Sequence, residues 1–201
     1  MHPNPAFEWT SRKEILDFVS EHPFAQVFTA DGGDLFVVHA PLLVTEEGRI
    51  RFHVSRRNRA ADHFASKALL ISVLGREAYH SAGWYASKNQ VPTWHYEAVE
   101  IEGEARLLST GELVELLDRL SDRMEASYSP ENPWTRAKME SGTFEAMIKA
   151  IVGFEVVPHA IRGTRKFNQH KSLEDMEAGI EGQRRSGRDD IVQAMNELRA
   201  K

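Results

Sequence analysis

Trp84, Tyr85, Trp94 and Tyr96 crowd into one short segment of this chain. Gly83-Trp84-Tyr85 is followed closely by Ser87-Lys-Asn-Gln-Val-Pro-Thr-Trp-His-Tyr96, and the whole segment lies between two strand-like runs. Rings at this density suit stacking on a flat heterocycle, and Lys88 suits holding an anion. A packed hairpin could use the same rings, so this segment alone leaves both readings open.

Three further segments carry polar chemistry. In Phe52-His-Val-Ser-Arg-Arg-Asn-Arg59 a strand delivers its end into a cluster of arginines beside a serine and an asparagine. Guanidinium forks and exposed backbone N–H groups make a phosphate cradle, and a solvated basic turn has the same composition. In Val37-Val-His39-Ala-Pro41 a proline interrupts a strand, which marks an edge or a bulge. An edge strand has backbone groups free to hydrogen-bond a planar ring, or it carries an incidental histidine. Arg165-Lys-Phe-Asn-Gln-His170 offers a lysine and amides to a ligand or a partner chain, or is a polar exit from the last strand.

Nine histidines raise the question of a metal, with His39 and His53 a candidate pair across neighbouring strands. There is no His-Glu-x-x-His and no cysteine, so ligand spacing gives no metal site. No Gly-x-Ser-x-Gly elbow, phosphate-binding P-loop or dinucleotide fingerprint is present.

The elements that must position these residues are mostly strands. Ser11 and Glu14 form a capping-box pattern ahead of a helix with Ile15, Phe18 and Val19 on its apolar face, ended by Pro23. Strands are predicted over 24–30, 35–44 and 49–55, with Asp31-Gly-Gly-Asp34 as a hairpin turn. A short helix is expected from Asn58 or Arg59 to Ser66, and strands over 68–74 and 94–108. A helix begins at Ser109, a short one surrounds Phe144–Ala150, and strand follows over 151–157 and 160–167 with a break near Pro158. The tail from Leu173 to Ala200 is helical and polar, interrupted around Gly187. Six or so strands with short turns argue for an antiparallel barrel and against a doubly wound parallel sheet. Residues 1–170 form the predicted barrel domain, and 171–201 a helical arm that packs on the barrel or on a second subunit.

The 201 residues fit one domain with an appendage. The chain is 41% hydrophobic and 27% charged, the balance of a soluble globular protein, with no apolar run long enough to span a membrane. The first residues lack the basic and apolar regions of a signal peptide, and cysteine is absent, so a cytoplasmic location is expected. A net charge of −5 weighs against direct DNA binding.

Taken in order, these segments resemble the PaiB-like family of FMN-binding negative transcriptional regulators. The resemblance rests on His22-Pro-Phe-Ala25, His39-Ala-Pro41, His53-Val-Ser-Arg-Arg-Asn58, Ala150-Ile-Val-Gly-Phe-Glu155 and Lys166-Phe-Asn-Gln-His170. Its most specific part is Trp84-Tyr-x-Ser-Lys88 with Val91-Pro-Thr-Trp-x-Tyr96. It implies a mainly β fold with flanking helices: the FMN-binding split barrel, a six-stranded antiparallel Greek-key barrel that forms a homodimer with FMN at the interface. It assigns the phosphate to Asn58 and Arg59, helped by Ser55 next to Val54. Strand 37–41, with Val38 and His39, would face the flavin ring through its backbone. Lys88, Thr93, Trp94 and Tyr96 would line the site, some from the second subunit, and Lys166 and Gln169 would close it. His95, Phe167, Asn168 and His170 depart from the family's usual Asn, Leu, Ser and Asn, and Val38 and Ala40 from its Ser and Leu.

Three functions are compatible with that resemblance: a flavin-binding regulator or sensor, an FMN-dependent oxidoreductase or flavin reductase acting on a small molecule, and a haem-binding barrel using His39 or His53. A flavin carries its own redox chemistry, so the lack of an evident catalytic acid or base does not separate them.

Overall fold

The computed structural model describes residues 1–199; Ala200 and Lys201, the end of the expected helical tail, lie outside the described residues. Alternation of apolar and polar residues produces the strands. In β5 (Ile50–Ser55) the side chains of Ile50, Phe52 and Val54 are buried, while Arg51 and His53 between them are partly exposed. The same period buries Ala25, Val27 and Thr29 in β2 (Phe24–Asp31) and Phe36, Val38 and Ala40 in β3 (Asp34–Pro41). The β2–β3 hairpin pairs Asp31 with Asp34 around Gly32 and Gly33. Both glycines have positive φ, +60° and +93°, the conformation that a two-residue hairpin turn demands.

The remaining strands are β1 (Glu8–Trp9), β4 (Leu43–Val44), β6 (Ala68–His80), β7 (Thr93–Leu107) and β8 (Ile151–Lys166). Their hydrogen-bonded order is β3-β2-β6-β7-β8-β5-β4, an open path with β1 added to β8 at Gly163 and Thr164. The helices are α1 (Arg12–Glu21), α2 (Thr110–Tyr128), α3 (Thr143–Met147), α4 (Leu173–Arg185) and α5 (Asp189–Arg199). No helix among the described residues is long and apolar enough to cross a membrane.

The structure departs from the sequence pattern at four places. The sheet has eight strands, not six, because β1 and β4 are two residues long and too short to show alternation. β6 runs on to His80, well past Leu74. β8 continues through Pro158 without a break. Its pairing with β5 ends at Val156 and its pairing with β1 starts at Gly163. Pro158 therefore falls where one side of the strand has no ladder to lose. The helix expected from Asn58 or Arg59 to Ser66 shrinks to a single 3-10 turn, Ala61–His63, and Ser66 at φ 58° turns the chain out of it.

The chain divides into two compact units. The larger contains Arg12–Val73 and Glu100–Ile161. Its core includes Phe52, Phe64 and Phe154, with ring centroids 5.3–5.5 Å apart, and a cluster of Leu43, Leu113, Leu116 and Leu120. α2 starts with a complete capping box: Glu112 N–H donates to Ser109 Oγ at 3.3 Å, and Ser109 N–H donates to the Glu112 carboxylate at 2.8 Å.

The second unit contains Met1–Ser11, Leu74–Val99 and the chain from Arg162 onward. α4 and α5 pack through Ile180, Ile191, Val192, Ala194 and Met195 against Ala78 and Phe167. Buried Glu97 receives two hydrogen bonds from Arg76, at 2.9 and 3.0 Å, and lies 3.2 Å from Arg165.

Candidate functional site

In the larger unit, the arginine-rich turn and the edge of β3 come together. Asn58 N–H donates to Ser55 O at 2.9 Å, Arg57 N–H to Ser55 Oγ at 3.2 Å, and Ala60 N–H to Asn58 Oδ1 at 2.9 Å. Ser55 and Asn58 thus shape the turn themselves, and their remaining O–H and NH2 donors are left for a ligand. Arg59 leans back over the ring of Phe36, its guanidinium carbon 5.3 Å from the centroid, and donates to Leu35 O at 3.5 Å.

That last contact identifies the open edge. β3 ends the strand order, so only one of its sides is paired, with β2. In an antiparallel ladder, paired and unpaired backbone groups alternate along the strand. Leu35 O points away from β2, and the same alternation turns the backbone of Val37 and His39 outward with it. Val38, by parity, spends its backbone on Val27, its register partner, and its side chain is in the core. Val54 is also buried. Any ring held here therefore meets Val37 and His39 before Val38. His39 is exposed, with Phe24 stacked beside it at 6.4 Å.

A third histidine, not anticipated from sequence, lies next to this edge. His63 stacks on Phe36 at 4.1 Å, and its Nδ1 is 2.9 Å from Asp31, which Lys67 also contacts at 2.9 Å. These two partners, His63 foremost, pull the Asp31 carboxyl down to about 2.

The remaining expected residues belong to the other unit. Lys166 Nζ donates to Thr93 Oγ1 at 2.7 Å and lies 5.8 Å from the Phe7 centroid. Burial lowers the Lys166 pKa. Trp94 is 55% exposed, edge-on to Tyr79 at 6.0 Å. Tyr96 is partly buried, and Lys88 is exposed in the bend after Tyr85. Gln169 is occupied structurally, accepting from Phe167 N–H at 2.8 Å and donating to Ala6 O at 3.0 Å.

His95 points away from solvent into a buried polar cluster of this unit. His80 and His95 are both fully buried, with ring centroids 4.4 Å apart. Asn168, in the left-handed conformation, accepts from Tyr85 Oη and donates to His80 Nε2, both at 3.2 Å. Phe167 lies 5.7 Å from His95. Three of the positions that depart from the family pattern, His95, Phe167 and Asn168, are thus neighbours in one cluster. Burial lowers His80 to about 4; burial, with His80 beside it, lowers His95 to about 3. Both rings are neutral at pH 7. Only His95 stood out in the sequence, and nothing there paired it with His80.

The open strand path is that of a split barrel, with the basic turn beside its edge strand. A family model described as "Putative FMN-binding domain" matches residues 1–159, and the chain belongs to that family. FMN is the cofactor of this domain. The chain is 32% identical to protease synthase and sporulation protein PAI 2 of Bacillus subtilis (strain 168) over 173 residues, 84% of this chain and 82% of that protein. The sequence resemblance to the PaiB-like proteins therefore holds. In fold, the chain is similar to the FAD and heme binding protein from Mycobacterium smegmatis, with a TM-score of 0.57 at 15% identity, covering 79% of this chain and 73% of that one. It is also similar to the flavocytochrome Anf3 from Azotobacter vinelandii, with a TM-score of 0.54 at 14% identity, covering 77% and 67%.

The residues present suit FMN. A monoanionic or dianionic phosphate needs guanidinium, hydroxyl and amide donors, and the turn carries Arg59, Ser55 and Asn58. A flavin ring edge alternates donors and acceptors, which an unpaired strand edge can match.

Proposed function

We propose that this chain is a flavin-dependent regulator or sensor of the PaiB-like type, holding FMN at the interface of a homodimer. Arg59 carries this reading: it brings a phosphate-binding cation to the same open β3 edge that can hydrogen-bond a ring. Arg59, with Asn58 and Ser55, holds the phosphate. The outward backbone of β3 at Val37 and His39 orients the ring, with Val38 and Val54 supporting it from the core. A second copy supplies lining from Lys88, Thr93, Trp94 and Tyr96, and its Lys166 and Gln169 close the site. When bound, FMN supplies electron-transfer chemistry; the chain supplies binding, orientation and exclusion of water.

Exposed apolar residues support dimerisation. Phe24, Phe28, Leu35 and Val37 lie on one face of the β2–β3 hairpin, with Leu35 77% and Phe24 67% exposed. A contiguous apolar face of this kind is a common mark of a protein interface. The cysteine-free composition supports a cytoplasmic setting. The net charge of −5 supports regulation through a partner or through flavin state, not through an operator gripped directly.

The test combines a visible spectrum with FMN, gel filtration, and anaerobic addition of NADPH. A regulator or sensor should give a flavin-bound dimer whose flavin stays oxidised. Rapid bleaching would assign an oxidoreductase, a Soret band a haem protein, and a monomer that leaves FMN fluorescence unquenched would remove the interface site.

A further inference from the structure

The arginine-rich turn faces two ways. Arg59 goes to the β3 edge, but Arg56 turns to a separate cavity, where its Nε donates to Lys149 O at 3.0 Å. This cavity has a volume of about 400 Å³, within the roughly 300–1,000 Å³ of small-molecule sites. It lies wholly within the larger unit, between α2, α3 and the start of β8.

Its floor and mouth differ in chemistry. Leu108, Leu113, Val114, Phe144, Ile148 and Val152 line the floor. Leu113 belongs to the leucine core cluster, and Leu108 and Ile148 pack on it, so the floor is anchored in the core. The mouth carries Arg56, Arg136 and Lys149, against a single carboxylate, Glu145. Arg136 is bound to Asp118 at 3.0 Å and lies over Phe144, 5.4 Å from its centroid. No carboxylate among the described residues pairs with Arg56 or Lys149.

We propose that this cavity is a second ligand site, for a small amphipathic carboxylate: an apolar tail on the leucine–phenylalanine floor and a carboxylate at Arg56 and Lys149. The apolar floor requires the tail, and the excess of unpaired cations selects an anionic head. Arg56 belongs to the same turn as Asn58 and Arg59, so the two sites are neighbours along the chain.

Calorimetric titration of the full chain with octanoate, octylammonium and acetate tests the site. Octanoate should bind saturably with one site per chain, and neither octylammonium nor acetate should. Replacing both exposed cations, Arg56→Gln with Lys149→Gln, should weaken octanoate by at least about tenfold. Octanoate should still bind when the protein is saturated with FMN, which separates this site from the flavin site. A protein that binds FMN normally but gives no saturable octanoate binding overturns the proposal, as do equal binding of octylammonium, an unaltered double variant whose circular dichroism is native, or simple competition with FMN.

Discussion

His80 and His95 lie tilted against each other with their ring centroids 4.4 Å apart, both fully buried and both held neutral by burial. In an unfolded chain each would titrate near 6.5. Between that value and about 4 and 3, the unfolded chain binds protons that the folded one refuses. The pair therefore stabilises the fold fully above pH 6.5, and that stabilisation is lost as pH falls toward 3. Thermal melts from pH 7.5 to 5 should show a falling Tm, and His95→Asn should flatten the slope. His53 and His170, also lowered by burial, account for a residual slope. A slope unaltered by His95→Asn would contradict this role.

α4 approaches the same cluster through glycines. A Cβ on Gly182 would lie 2.5 Å from the Trp84 ring, and one on Gly179 2.7 Å from His80 Cε1. Alanine normally favours a helix over glycine by about 1 kcal/mol. Here the clash reverses the sign, so Gly182→Ala should destabilise by about 1–3 kcal/mol in urea unfolding. Gly111, in the first turn of α2, has nothing within 4 Å, and Gly111→Ala should be neutral or stabilising.

Glu155 is buried and receives Arg49 at 2.8 Å, Arg51 at 2.7 Å and Arg106 at 2.6 Å. Burial raises its pKa, but the three guanidiniums outweigh that and hold it below the ordinary value. Glu155→Ala removes the anion these cations share, although Arg51 keeps Glu115 and Arg106 keeps Glu112, and should cost about 1–3 kcal/mol by denaturant unfolding. Glu155→Gln, which keeps the shape and some hydrogen bonds, should cost less. Equal losses would mean that charge is not what the position supplies.

Much of this fold was legible because strands announce themselves by period. Ile50, Phe52 and Val54, the Asp31-Gly-Gly-Asp34 turn and the Ser109–Glu112 capping box are local signals, and each appears where the pattern puts it. What escaped depends on distant partners. Pro158 reads as a break, yet it falls between two ladders on one long strand. β1 exists only because β8 is there to pair with it. The candidate site divides in the same way. The basic turn and the proline-marked strand could be seen singly, but only the fold shows that Arg59 reaches the β3 edge while Arg56 faces another cavity. His80 gave no signal, since its meaning comes from His95 on a neighbouring strand.

The β3 edge itself can be probed through Phe36, the ring beneath both Arg59 and His63. Phe36→Leu keeps the core apolar but removes the stacking face. It should weaken FMN binding severalfold through looser placement of Arg59, with cation–π support of about 0.5–1 kcal/mol lost. Fluorescence titration with FMN measures this directly, and unaltered affinity would remove Phe36 as a positioning residue.

Arg59 is proposed to hold the phosphate of FMN beside the open edge of β3. Dissociation constants of Arg59→Ala for FMN and riboflavin, measured side by side by fluorescence quenching, test it most directly. Riboflavin has the ring but no phosphate. If Arg59 holds the phosphate, FMN should lose at least about tenfold, the scale of a charge-assisted contact, and riboflavin should change little. Equal losses for the two ligands would contradict it and remove Arg59 from the phosphate role.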